Sequence, residues 1–385
     1  MIWKNILIGC AIGCVVLVIA AVAGIYALYK FYFAPMIATQ MQVPQPVQSP
    51  GVVAGSGFLS QSVLLQDPSL GSVTDIVLGE LDPAPGLELG IAGSDGAVFL
   101  DQAHNVKKSV TFSSPTTHVD IIDVESDGKC EFMNRGHWGC DASLFSHDGK
   151  RLWEYGGRPG VNDMCAGDMD GDGKTEFAVG FNGAGGVHLL SSSGHRKWRQ
   201  PDSNAWHVEM ANATADPRPE IIHSNAAAQL TVRDSQGAVM SRTQLQAYFS
   251  SFSLCKWPDR KGAECALYAE NDTIWLLGFG GNTVARFDAP DCGSLGHARG
   301  TTVRLKKDEP EYFAAVVEFK QWARSLLYVY DSAQTLVYQE VLPESSASIA
   351  AVALGTPGAE ALLVGGDGKV WEYRLKTPTP AKQPP

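Results

Sequence analysis

The run Asp168-Met169-Asp170-Gly171-Asp172-Gly173-Lys174-Thr175-Glu176 sets carboxylates at the first, third and fifth positions of a tight loop. Gly173 at the sixth position permits a sharp turn. Lys174 offers its carbonyl at the seventh, and Glu176 offers oxygen at the ninth. Hard oxygen donors at this spacing suit Ca2+. The loop departs from an EF-hand, because its twelfth position is Val179 and a strand-like run follows. Asp123, Glu125, Asp127, Gly128, Lys129 and Glu131 repeat the register, with the longer glutamate at the third position. Asn212, Thr214, Asp216 and Glu220 keep part of it but have prolines in place of the turn. Glu80, Asp82 and Glu88 keep less, with Ala84 at the fifth position. These two loops are expected to hold no metal.

The elements that must position these loops recur with them. Glu88, Glu131, Glu176, Glu220, Glu264, Glu311 and Glu360 follow one another at steps of 43, 45, 44, 44, 47 and 49 residues, and each opens a short apolar run. Such a period marks small β units that bury their faces only by stacking on neighbours. In the third unit, Val161 to Gly167, Glu176 to Phe181, Gly186 to Ser191 and His195 to Arg199 read as four antiparallel strands, the blade of a β-propeller. The predicted fold is all-β, a seven-bladed propeller with an N-terminal transmembrane helix. Trp153, Trp198 and Trp371 are expected to pack blade against blade. The last unit supplies only three strands. Phe58 to Gln66 is expected to add the fourth and close the ring. The alternative for all seven glutamates is a structural role, accepting backbone N–H groups at strand starts, and it is the expectation for the degenerate repeats.

First strands line the central channel of a propeller. Asp75, His118, Asp163 and His207 each lie five residues before the first loop position. They define a polar arc at a channel mouth, suited to a transition metal or a polar ligand. Ordinary solvated residues at strand starts would give the same pattern.

The loop of the third unit, with a strand on either side and the continuation EFAVG, resembles an FG-GAP or VCBS repeat, the unit of the integrin-α-like propeller. The resemblance spans roughly residues 57–375 and is specific in the third unit. It implies structural Ca2+ on blade loops, held here by Asp168, Asp170, Asp172, Lys174 and Glu176, and by Asp123, Glu125, Asp127, Lys129 and Glu131.

The chain has 385 residues and a net charge of −11, without a basic stripe, which argues against a nucleic-acid partner. Residues 6–29 carry no charge and are long enough to span a bilayer. Ala21-Val22-Ala23 resembles a signal-peptide cleavage site, but apolar residues continue to Phe33, which favours an uncleaved anchor. The expected organisation is an anchor over 1–33, a Pro/Gln-rich linker over 34–57, the propeller over 58–375 and a disordered tail over 376–385. Cys130, Cys140, Cys165, Cys255, Cys265 and Cys292 allow disulfides, notably Cys130–Cys140 and Cys255–Cys265, or six free thiols.

No nucleophile elbow, phosphate loop or His-Glu-x-x-His is present, so an enzyme is not expected. The expectation is a single-pass membrane protein whose propeller lies outside the cytoplasm. It would bind calcium and act as a protein-interaction or accessory subunit of a membrane assembly. The alternative is a carbohydrate-binding or polysaccharide-lyase-type propeller.

Overall fold

A computed structural model describes residues 22–27, 29–30, 57–82, 86–137, 140–214, 218–245, 251–258, 260, 263–290, 297–319, 324–355 and 357–376. The chain divides into two units, residues 1–47 and 48–385. In the first, residues 22–27 are helical. Among the described residues no helix is long and apolar enough to cross a membrane. Most of the expected span 6–29, the linker up to residue 56 and the tail from residue 377 lie outside the described residues, as do Cys292, Asp216 and Ala84.

The second unit is a seven-bladed β-propeller of seven four-stranded antiparallel sheets. In six blades the strands follow chain order from the inside outward. The third blade runs Val161–Gly167, Glu176–Phe181, Gly186–Leu190 and Arg196–Gln200. Its second and third strands are buried along their whole length. They are covered on both faces by neighbouring blades, so their sequences are continuously apolar instead of alternating. The fourth strand, RKWRQ, alternates between exposed and half-buried positions, and its charges suit an outer edge.

The tryptophans join blades. Trp153 Nε1 donates to the Ser192 carbonyl of the next blade at 3.0 Å, and its ring meets Phe177 edge-on at 4.9 Å. Trp198 repeats the contact one blade later, donating to the Ser235 carbonyl at 2.9 Å. Gly194 (φ 78°) turns beneath Trp153, where an added Cβ would lie 2.8 Å from the indole.

Ring closure follows the expectation. Leu59–Gln66 is the outer strand of the last blade, pairing Leu59 with Leu375 and Gln66 with Lys369. The last blade therefore joins both ends of the ring, and no inner strand is left without a neighbouring blade. The five described cysteines of the propeller are free thiols. Cys255 and Cys265 face each other in register across adjacent strands but are not bonded.

Candidate functional site

In blades one to four the loop after the first strand is organised by the repeat glutamate. Glu88, Glu131, Glu176 and Glu220 each accept the N–H of the residue seven positions earlier: Leu81 at 3.1 Å, Val124 at 3.0 Å, Met169 at 3.0 Å and Ala213 at 2.8 Å. The glutamate thus ties the loop to the strand that follows it, as its structural reading requires.

In blade three, Asp168 accepts from the N–H groups of Gly171 (2.7 Å) and Gly173 (3.0 Å), curling the loop around its carboxylate. Asp172 accepts from Lys174 N–H at 2.8 Å. Oxygens of Asp168, Asp170 and Glu176 lie within 4.8 Å of one another. Asp172 does not belong to that group. A positive charge already stands there: Lys197, on the fourth strand, places Nζ 2.7 Å from Asp170 Oδ2 and 3.0 Å from Glu176 Oε1. The Lys197 hydrogen bond holds the Asp170 carboxyl below its usual range, and Asp170 in turn raises the lysine. The donors suit a hard cation, and the ammonium is the cation they hold.

Sequence reasoning missed this lysine, although its place repeats. Lys107, at the matching position of blade one, puts Nζ 2.6 Å from Glu88 Oε1. In blades six and seven guanidinium groups do the same work. Arg260 reaches Glu311 at 3.1 Å and Glu360 at 2.6 Å, and Arg304 reaches Glu311 at 2.9 Å.

Blade two differs. Asp123 accepts from Asp127 N–H (3.1 Å) and Gly128 N–H (2.9 Å), and Asp127 accepts from Lys129 N–H (2.9 Å). The position of Lys197 is taken by Leu152. Burial, and then Asp127, Asp123 and Glu125, push the Glu131 carboxyl up. No lysine from the outer strand enters this loop, but among the described residues only the blade-three carboxylates converge within 4.8 Å of one another.

The central channel holds the second cluster. Asp163 and His207 meet directly, His207 Nδ1 lying 2.5 Å from Asp163 Oδ2. His207 Nε2 is 3.0 Å from Glu209 Oε1. Arg135 grips Asp163 with two nitrogens, at 2.8 and 3.1 Å, and also reaches Glu209 (2.9 Å) and Asp120 (3.3 Å). Burial opposes ionisation of Asp163, but Arg135 and then His207 hold its carboxyl far below the usual range. Burial likewise opposes the charge on His207, yet Asp163 and Glu209 keep its pKa raised. With both ring nitrogens turned to carboxylates, this imidazole has no lone pair to spare for a metal.

The other two members of the arc are separate from that pair. His118 Nε2 lies 3.2 Å from Asp120 Oδ1 and 3.3 Å from Arg299 Nη2. Burial and Arg299 lower the His118 pKa to about 4, so the ring is neutral at pH 7. Asp75 accepts the N–H groups of Ile76 (2.9 Å) and Ile121 (2.8 Å). Burial and the neighbouring Asp120 raise its pKa to about 7. Sequence reasoning did not single out Asp120, Arg135, Glu209 and Arg299. Asp120 and Glu209 carried a usable signal, each standing two residues after an arc histidine and so on the same side of its strand.

No protein-family model and no curated protein sequence matches the chain. Solved structures do. The propeller resembles the BBS1 N-terminal domain, crystallised in complex with ARL6, with a TM-score of 0.54 and 11% identity over 82% of this chain and 98% of that one. The Pan2 WD40 domain of Neurospora crassa gives a TM-score of 0.47 at 10% identity, covering 80% of this chain and 90% of that one. BamB from Moraxella catarrhalis gives 0.43 at 13%, covering 80% and 85%. At 11% identity the likeness to the BBS1 domain shows the propeller fold alone.

Proposed function

We propose that this chain is a membrane-anchored propeller of the FG-GAP/VCBS kind, working outside the cytoplasm as a protein-interaction or accessory subunit of a membrane assembly. Residues 6–29 provide the anchor, and the Pro/Gln-rich segment provides reach. Calcium is a structural ion in this reading, held by Asp123, Glu125, Asp127, Lys129 and Glu131, and by the Asp168–Glu176 loop where Lys197 yields. When bound, the ion supplies positive charge that stiffens the loop. The chain's own carboxylates and glycine turns set the shape it enters.

The observation that carries the reading is the outer surface of the ring. Large apolar side chains stay exposed on outer strands of neighbouring blades: Val106 and Leu152 on blades one and two, and Val239, Met240 and Val284 on blades four and five. Apolar exposure on an otherwise polar edge favours protein contact. The BBS1 domain, a propeller of similar shape, is one that was crystallised with a protein partner.

The test is a mild-detergent pull-down of the full chain with calcium present, read by mass spectrometry. A stoichiometric membrane partner, lost in Leu152→Glu or Met240→Glu, is expected. A lone monomer under the same conditions contradicts the proposal. Capture of glycan in its place would point to the carbohydrate alternative.

A further inference from the structure

The central channel contains a cavity of about 190 Å³ between inner strands of six blades. By volume it has room for about six waters at roughly 30 Å³ each. Its wall carries charge of both signs; Asp120 and Glu209 are paired with Arg135, whereas Asp75 and Arg299 have no ion pair among the described residues. Asp75, Asp120 and Glu209 border it from blades one, two and four, and Arg299 borders it from blade six. The Arg299 guanidinium has one hydrogen-bond partner, the neutral His118 ring, and no carboxylate among the described residues lies within ion-pair distance of it. Ser253, also on the wall, is 9% exposed, and its buried Oγ has no hydrogen-bond partner among the described residues. A half-buried guanidinium held away from half-buried carboxylates, beside an unsatisfied hydroxyl, is electrostatically incomplete.

We propose that this cavity binds a small zwitterion with an ammonium and a carboxylate group, the chemistry of a free α-amino acid. Its carboxylate would take the Arg299 guanidinium and the Ser253 hydroxyl. Its ammonium would take Asp75 and Asp120. The pairing completes both halves of the wall and leaves the channel's net charge unchanged. A purely cationic ligand would face Arg299, and a purely anionic one would face three carboxylates. A sugar would lack a stacking surface, since no aromatic side chain among the described residues lines the cavity.

The pH response follows from the wall. Asp75 faces Asp120, Glu209 and Arg299, with His118 and Arg135 behind them. Its carboxyl, pushed up to about 7, must be ionised to hold an ammonium, so binding weakens as pH falls below 7.

The experiment is calorimetric titration of the full-length protein in detergent with glycine, alanine, glutamate and lysine. Methylammonium, acetate and glucose test one feature at a time. Saturable one-to-one binding of at least one amino acid is expected, at least tenfold tighter than any of the three single-feature probes. Arg299→Gln should weaken it at least tenfold, and Ser253→Ala, which removes a single unbonded oxygen, severalfold. Absence of amino-acid binding, equal binding of a single-feature probe, or an unchanged affinity in Arg299→Gln would overturn the assignment. The inference goes beyond the partner reading and fails separately from it: the calorimetry needs no partner, and the pull-down needs no added amino acid.

Discussion

Lys197 Nζ stands 2.7 Å from Asp170 Oδ2, inside a loop whose carboxylate spacing suits calcium. An ammonium and a dication compete for that place. Lys197→Met should therefore raise the calcium affinity of the blade-three loop about tenfold, worth roughly 1.4 kcal/mol. Isothermal titration that counts ions per chain would check it. An affinity unchanged by the substitution would show that the lysine does not compete.

Blade two has no such lysine, and its loop should be the tighter calcium site of the wild-type protein. Calcium at a hundred times its dissociation constant should stabilise the protein by about 2.7 kcal/mol. Asp127→Asn should remove most of that gain in a thermal melt with and without chelator. The opposite ranking of Asp127→Asn and Asp172→Asn would reverse the assignment of the tighter site.

Arg135 holds three carboxylates, the buried Asp163 and the half-buried Glu209 and Asp120. Arg135→Met leaves them without their guanidinium and should cost about 3–5 kcal/mol in urea unfolding. Arg135→Lys keeps the charge but cannot grip Asp163 with two nitrogens, so it should recover only part of the loss.

Acid should destabilise the propeller between pH 6.5 and 5. Burial lowers His118, His188 and His223 to about 4, so unfolding takes up protons on all three through this window and stability falls with pH. Asp75, raised to about 7, acts in the opposite sense: the folded state holds a proton there that the unfolded chain releases. With three histidines against one carboxyl, a net loss of about 4 kcal/mol is expected by pH 5. Asp75→Asn, which lacks the opposing group, should show a steeper fall. Thermal melts across the window would read both slopes.

Leu59 closes the ring from the N-terminal side and is buried against the last blade. Leu59→Ala should cost about 2–5 kcal/mol. Ser62→Ala, at an exposed position on the same strand, should cost little. Hydrogen exchange over Lys369–Leu375 should accelerate in the first variant and stay slow in the second.

The sequence alone determined the ring and its loops. A glutamate every 43 to 49 residues, each opening an apolar run, specified seven stacked sheets, and the three-strand last unit specified the closing strand. Both are local: a strand's burial is written in its own apolar residues, and Glu176 meets Met169 N–H across seven residues of its own loop. Which cation occupies a loop was decided only by tertiary structure. Lys197 lies 21 residues beyond Glu176, on the outer strand, and reaches the loop because the sheet folds back over it. The arc was legible as a register but not as a network. Asp163 and His207 meet because adjacent inner strands converge on the channel, and Arg135 joins them from beyond a second strand of blade two. Sequence period carries backbone order, whereas charge pairing depends on which side chains the closed ring brings within a few ångströms, and among the described residues those partners lie up to 100 residues apart.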